Sequence, residues 1–114
     1  MIDNYEKFLK ERNQLNELVL SKADIVTKRF FSLDSQAYRK GALEPKIKEM
    51  LGLTASIVLR CDDCIAHHIA RCYQEGISDE EIAEVLSIAL IVGGSITIPH
   101  IRRAYRVWEE LKSK

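Results

Sequence analysis

The sequence predicts an all-α fold built as one domain, and three observations carry that prediction. Only two prolines and five glycines interrupt 114 residues, and aromatics make up 7% against 46% hydrophobic residues overall. Apolar residues recur at helical rather than alternating spacing. A chain of this length closes one modest core, and its leucine, isoleucine and alanine suit helices better than sheets.

Residues 1–40 read as helical, with Tyr5, Phe8, Leu9, Leu15, Leu18 and Leu20 set among charges, followed by Ile25, Val26, Phe30 and Phe31. Gly41 closes that region. Pro45 then opens a new helix, because the first turn has no use for the amide donor that proline lacks. This helix carries Ile47, Met50, Leu51, Leu53, Ile57 and Val58. A further helix is expected from Asp62 to Glu75, with Gly76 as the left-handed residue that ends it.

The tetrapeptide Ser78–Glu81 is a capping box, in which the serine hydroxyl and the glutamate carboxylate each satisfy a free backbone donor of the other residue. Behind it, Ile82, Val85, Leu86, Ala89 and Leu90 fall at the i, i+3, i+4, i+7, i+8 positions of an amphipathic helix. Ile88, Ile91 and Val92 add a second apolar face, which predicts burial by another subunit. Gly93 and Gly94 break the helix. A last one, from near Pro99 to Leu111, is expected to turn Ile101, Ala104, Tyr105 and Trp108 inward and to leave Arg102, Arg103 and Arg106 in solvent.

Lysine plus arginine balances aspartate plus glutamate at 17 each, so no net field favours nucleic acid or an anionic membrane. The N-terminal stretch is charged from its third residue and lacks the apolar run of a signal peptide. The apolar tract 82–98 is interrupted and falls short of the roughly 20 residues of a membrane span. A soluble cytoplasmic protein is therefore expected. In that compartment a close cysteine pair points to redox chemistry or metal binding more often than to a permanent structural disulfide.

Chemistry is concentrated in Arg60–His68, RCDDCIAHH, which holds two of the three cysteines and two of the three histidines. On a helix, Cys61, Cys64 and His68 fall within a sector of roughly 60 degrees, whereas His67 points about a third of a turn away. Cysteines at i and i+3 in a first turn approach closely enough for a disulfide, and the free amides there favour thiolate. Asp62 and Asp63 suit the helix start but oppose a neighbouring thiolate, so a base is wanted on the thiol face. His68, one turn past Cys64, is placed to be that base. Glu49 would sit roughly 18 Å away along a continuous helix, so it joins the site only if the helix breaks near Arg60.

The spacing of Glu49, Cys61, Cys64 and His68 resembles the signature of the alkylhydroperoxidase D-like branch of the carboxymuconolactone decarboxylase superfamily. Residues 76–111 are similar to the helix, glycine turn and final helix of that group. The resemblance covers residues 42–111, so the expected organisation is a single alkylhydroperoxidase D-like domain, 1–114, with N-terminal helices 1–40 before that core. It implies an alkylhydroperoxidase D-like helical bundle assembled as a homotrimer or homohexamer, with a helical pocket near each subunit interface.

It also implies an antioxidant peroxidase. Cys64 would attack a small-molecule hydroperoxide, Cys61 would resolve the sulfenic acid as a disulfide, and Glu49 and His68 would relay protons. The implied reductant is a dithiol protein, lipoylated or thioredoxin-like, with no cofactor, no metal, no nucleic acid and no membrane. One departure stands out. Members with well-developed peroxidase activity often carry histidine just before the second cysteine, where this chain has Asp63.

Competing readings are a disulfide oxidoreductase without efficient peroxide chemistry, a decarboxylase acting on a carboxymuconolactone-like lactone acid, and a non-catalytic oligomeric binding protein. The decarboxylase has no need of a vicinal thiol pair. A zinc site from both cysteines, His68 and Glu49 is disfavoured, because structural zinc sites draw their remaining ligands from a separate segment. Cys72, roughly 12 Å beyond Cys64 on the same helix, reads as a core thiol. His67 is assigned to the surface or an interface, and His100 to capping or an interface.

Overall fold

A computed structural model describes residues 4–114, so the first three residues of the N-terminal stretch lie outside it. Among the described residues the elements are α1 (Tyr5–Lys22), α2 (Ile25–Ala37), α3 (Pro45–Leu59), α4 (Asp62–Gln74), α5 (Asp79–Gly93), a 3-10 turn (Ser95–Thr97) and α6 (Ile98–Lys112), with no strand. The fold is all-α, as the sequence predicts. No helix among the described residues is long and apolar enough to cross a membrane.

Local chemistry sets the boundaries. The side chains of Asn4 and Asp24 accept from Lys7 and Thr27 at 3.0 Å and so cap α1 and α2. Ser78 and Glu81 complete the capping box of α5 in both directions. Pro45 occupies the first turn of α3, as expected. Gly76, at φ 79°, ends α4, and the amides of Gly76 and Ile77 return to the carbonyls of Tyr73 and Cys72. Paired bonds of this kind close the last turn of a helix and satisfy its orphan carbonyls.

The same bond pattern recurs where it decides the architecture. At the end of α3 the amides of Arg60 and Cys61 donate to the carbonyls of Ile57 and Ser56, with Arg60 at φ 59° and ψ 43°. This left-handed residue ends α3 one step before the first cysteine. The chain then starts α4 in a new direction.

The core lies where α3 packs on α4 and α5, and α4 packs on α6. Leu53, Ile57, Ile65, Ile69, Ile82, Leu86, Ala104, Val107 and Trp108 are buried in it. The Trp108 indole N–H donates to Asp79 at 2.7 Å, fastening the start of α5 to the end of α6. The Tyr5 amide donates to the Glu110 carboxylate at 2.9 Å, which anchors α1 on α6.

Two expectations for α6 need correction. Tyr105 is exposed and Val107 takes the inward position, because α6 buries the stripe Ala104, Val107, Trp108. Arg103 is not solvated, since it is drawn to the Asp62 carboxylate of α4 at 3.0 Å. Ile88, Ile91 and Val92 do form a separate apolar face, and Ile91 is 84% exposed.

A left-handed conformation costs an L-residue about 1–2 kcal/mol and glycine very little. Arg60→Gly is therefore expected to stabilise the fold by about 1 kcal/mol, after allowing for the greater freedom of glycine in the unfolded chain. Urea denaturation checks this: the midpoint should rise with unchanged slope.

Candidate functional site

The site forms where the break at Arg60 folds α4 back against α3. Cys61 is the N-cap residue of α4, and its Sγ accepts from the Cys64 amide at 3.2 Å. The two sulfurs are bonded as a disulfide, with Cα atoms 5.3 Å apart. Cys64 and His68 face a cavity of about 670 Å³ that Glu49 also lines, whereas Cys61 does not line it.

Glu49 is 2% exposed, and a carboxyl so deep must find partners. The His68 Nδ1–H donates to its Oε1 at 2.8 Å, and Arg71 Nε lies 3.6 Å from its Oε2. His68 is buried as well. With Nδ1–H turned to the carboxylate, Nε2 is the ring nitrogen left over, and the Tyr38 hydroxyl lies 3.3 Å from it. Three of the four residues singled out from the sequence, Glu49, Cys64 and His68, line this cavity, and Cys61 is tied to it through its bond to Cys64. Glu49 and His68 are paired with each other and the two sulfurs with each other. Among the described residues no cluster of three His, Cys, Asp or Glu side chains could hold a metal ion.

Three residues of the site were not singled out from sequence. Arg71 lies three residues past His68, on the same helical face, and that spacing could have flagged it. Gly52 lies three residues past Glu49, and its lack of a side chain makes the crossing possible. A Cβ there would stand 2.7 Å from both His68 Cε1 and the Tyr38 hydroxyl. Tyr38, just past α2, has no spacing signal, because it arrives through a turn.

His67, assigned to the surface or an interface, also lines the cavity, and its ring stands edge-on to His68 at 5.1 Å. Burial, with the Arg12 charge second, pushes its pKa down to about 4, so the ring is neutral near pH 7. His100 pairs with Asp62 across α4 and α6 at 2.8 Å. Partial burial raises the Asp62 carboxyl, but hydrogen bonds from His100 and Arg103 outweigh it and hold the pKa below the usual value. Cys72 is a buried free thiol whose pKa burial pushes up to about 12. It does not belong to the cavity.

The carboxymuconolactone decarboxylase family matches residues 26–110 of this chain. A crystal structure from Thermotoga maritima is 61% identical over 96% of each chain, with a TM-score of 0.94. Another structure from that organism, also 61% identical, superposes with a TM-score of 0.90 over 94% of this chain and 91% of that one. It is described as a member of the same family, in words that suggest involvement in an antioxidative response. The uncharacterized protein 4 in the cox locus of Paracoccus denitrificans is 26% identical over 82 residues, 72% of this chain and 74% of that protein.

Gly52→Ala should displace His68 and Tyr38 and cost about 1–3 kcal/mol, the usual range for overpacking. Proton NMR checks the geometry, since the His68 Nδ1–H resonance sheltered by Glu49 should shift or vanish. A second expectation concerns pH. The folded His67 pKa lies below its ordinary 6.5, so the unfolded chain takes up that proton first as pH falls. The stability contributed by the neutral ring is complete above pH 6.5 and is lost on descending to about 4. In His67→Gln, denaturation midpoints should depend less on pH across that window.

Proposed function

We propose, from the premise that this chain belongs to the carboxymuconolactone decarboxylase family, that it is a thiol-dependent hydroperoxide reductase working through Cys61 and Cys64. The observation that supports this best is the shared cavity: Cys64 faces the same space as an imidazole whose far nitrogen is held by a buried carboxylate. A nucleophilic thiol with a positioned base, and a third group orienting that base, is the arrangement covalent catalysis requires. The description of the Thermotoga maritima protein points the same way.

In the reduced state His68 takes the Cys64 proton while Glu49 stabilises the charge that develops on the ring. The thiolate attacks the outer oxygen of the hydroperoxide. An S–O bond forms, the O–O bond breaks, and the alkoxide leaves with a proton to become the alcohol. Cys61 then attacks the Cys64 sulfenic acid, forming the disulfide and releasing water. Amide donors in the first turn of α4 favour thiolate at the pair. A dithiol protein, lipoylated or thioredoxin-like, reopens the disulfide by exchange.

Asp62 opposes a thiolate less than its position next to Cys61 suggests, since His100 and Arg103 of α6 take up its charge. Asp63, next to Cys64 in the chain, lines the cavity and among the described residues has no such partner from α6. It tunes the chain toward slower peroxide chemistry than members with histidine there. The chain works as a homo-oligomer, a trimer or hexamer, that covers the apolar residues Ile88, Ile91 and Val92.

Stoichiometric hydroperoxide added to the reduced protein should remove the Cys61 and Cys64 thiols together and spare buried Cys72, as read by thiol titration. Cys64→Ser should abolish the reaction, and Cys61→Ser should stop it at a sulfenic acid that a dimedone probe traps. Glu49→Gln should slow it about 100-fold, within the range for general acid–base catalysis. A decarboxylase acting on a lactone acid would keep its activity in Cys64→Ser.

A further inference from the structure

The proton path from His68 ends on a group the thiol scheme leaves unused. Tyr38 places its hydroxyl 3.3 Å from His68 Nε2, the one ring nitrogen that Glu49 does not occupy. The same tyrosine lines the cavity with Cys64. Its ring lies 5.2 Å from the imidazole, so the two groups are packed as well as hydrogen-bonded.

The placement is held from three sides. Lys48, the neighbour of Glu49 on α3, donates its Nζ to the carbonyls of Ala37 and Arg39 at 2.9 and 2.6 Å, one on each side of Tyr38. Gly52 leaves the notch into which the hydroxyl fits, and His68 meets it from α4. A turn residue with no part in the site would not need its flanking carbonyls fixed by the helix that carries the buried carboxylate. Burial, helped by the nearby Glu49 and Asp34 charges, raises the Tyr38 pKa, so the phenol keeps its proton near neutral pH.

We propose that the Tyr38 hydroxyl is a catalytic residue of the peroxide reaction, passing the proton between His68 and the leaving oxygen. The inference rests on the hydroperoxide reductase reading above. In the reduced enzyme the Cys64 thiol proton passes to His68 Nε2, as above, leaving a thiolate and an imidazolium whose Nε2–H faces the Tyr38 oxygen. When the thiolate attacks, the O–O electron pair departs with the inner oxygen, which takes the phenol proton as the Nε2 proton moves onto the phenol oxygen. Cys64 gains the outer oxygen and its hydrogen as sulfenic acid, and the peroxide leaves as alcohol. Sulfur is oxidised and the peroxide reduced, with no further reagent.

A general acid matters most for a poor leaving group. The test is single-turnover oxidation of reduced wild type and Tyr38→Phe, followed by stopped flow, with tert-butyl hydroperoxide and with peracetic acid. The first expels a strongly basic alkoxide and the second a weakly basic acetate. Tyr38→Phe should fall about 100-fold on tert-butyl hydroperoxide and less than about threefold on peracetic acid, with an unchanged thermal midpoint. An equal loss on both peroxides overturns the inference and reduces Tyr38 to a positioning residue for His68, and no loss on either overturns it outright. Wild type that loses no thiols to either peroxide sinks the reductase reading and this inference together, a result distinct from a selective failure of the variant.

Discussion

The buried carboxylate of Glu49 is the constraint on which the rest depends. Taking an ionised carboxyl out of water costs several kcal/mol even after the surroundings relax. Only a hydrogen-bond donor or an opposite charge brought close offsets that. Both come from α4, His68 at 2.8 Å and Arg71 at 3.6 Å, so the depth of Glu49 on α3 dictates where α4 must lie. The crossing then has to be close, and Gly52 is the residue that permits it. The left-handed turn at Arg60 makes the crossing reachable, since a continuous helix would carry the cysteines roughly 18 Å from the carboxylate.

That chain of requirements explains what could be read in advance. Helix existence followed from periodicity, and the capping box of α5 and the glycine end of α4 followed from side-chain chemistry, so all three were legible. The break at Arg60 was legible for a different reason. No glycine or proline marks it, and arginine is a poor left-handed residue, but a site containing both Glu49 and Cys64 could not exist without it. Function announced the turn where local propensity was silent. Arg103 shows the reverse: helical spacing assigned it to solvent, because only the tertiary meeting of α4 and α6 supplies the Asp62 carboxylate it pairs with. Tyr38 reaches the cavity from a turn, and turns impose no period from which a side-chain direction can be inferred. His67 reads from the sequence as a surface or interface residue, and it lines the cavity because residues of α1 and α2 line the same space.

Electrostatics sort the three thiols without any difference in their own chemistry. Cys72 sits in the apolar core, and burial holds it protonated. Cys61 and Cys64 sit instead at the first turn of α4, where the Cys64 amide donates to the Cys61 sulfur. The acidic residues beside them would cancel that advantage if both stayed near the thiols. Asp62 does not, because α6 captures it with His100 and Arg103. The contact that fixes the start of α4 on α6 therefore also clears one negative charge from the cysteine pair, and structural and chemical roles share a single carboxylate.

The surface bears on the same cavity. Phe30 and Phe31 of α2 line it, while Ile25, Val26 and Leu33 of the same helix are exposed. A short helix that is apolar toward the cavity and apolar toward solvent is stable in water only if something covers its outer side. Whatever covers α2 buries those residues and walls the open side of the cavity in one step. Excluding water there would strengthen each polar interaction around Cys64 and His68, because charges act more strongly where the local dielectric is low. The outer face of α2 and the cavity wall thus share a single helix, which among the described residues touches the cavity yet contributes no buried residue to the core.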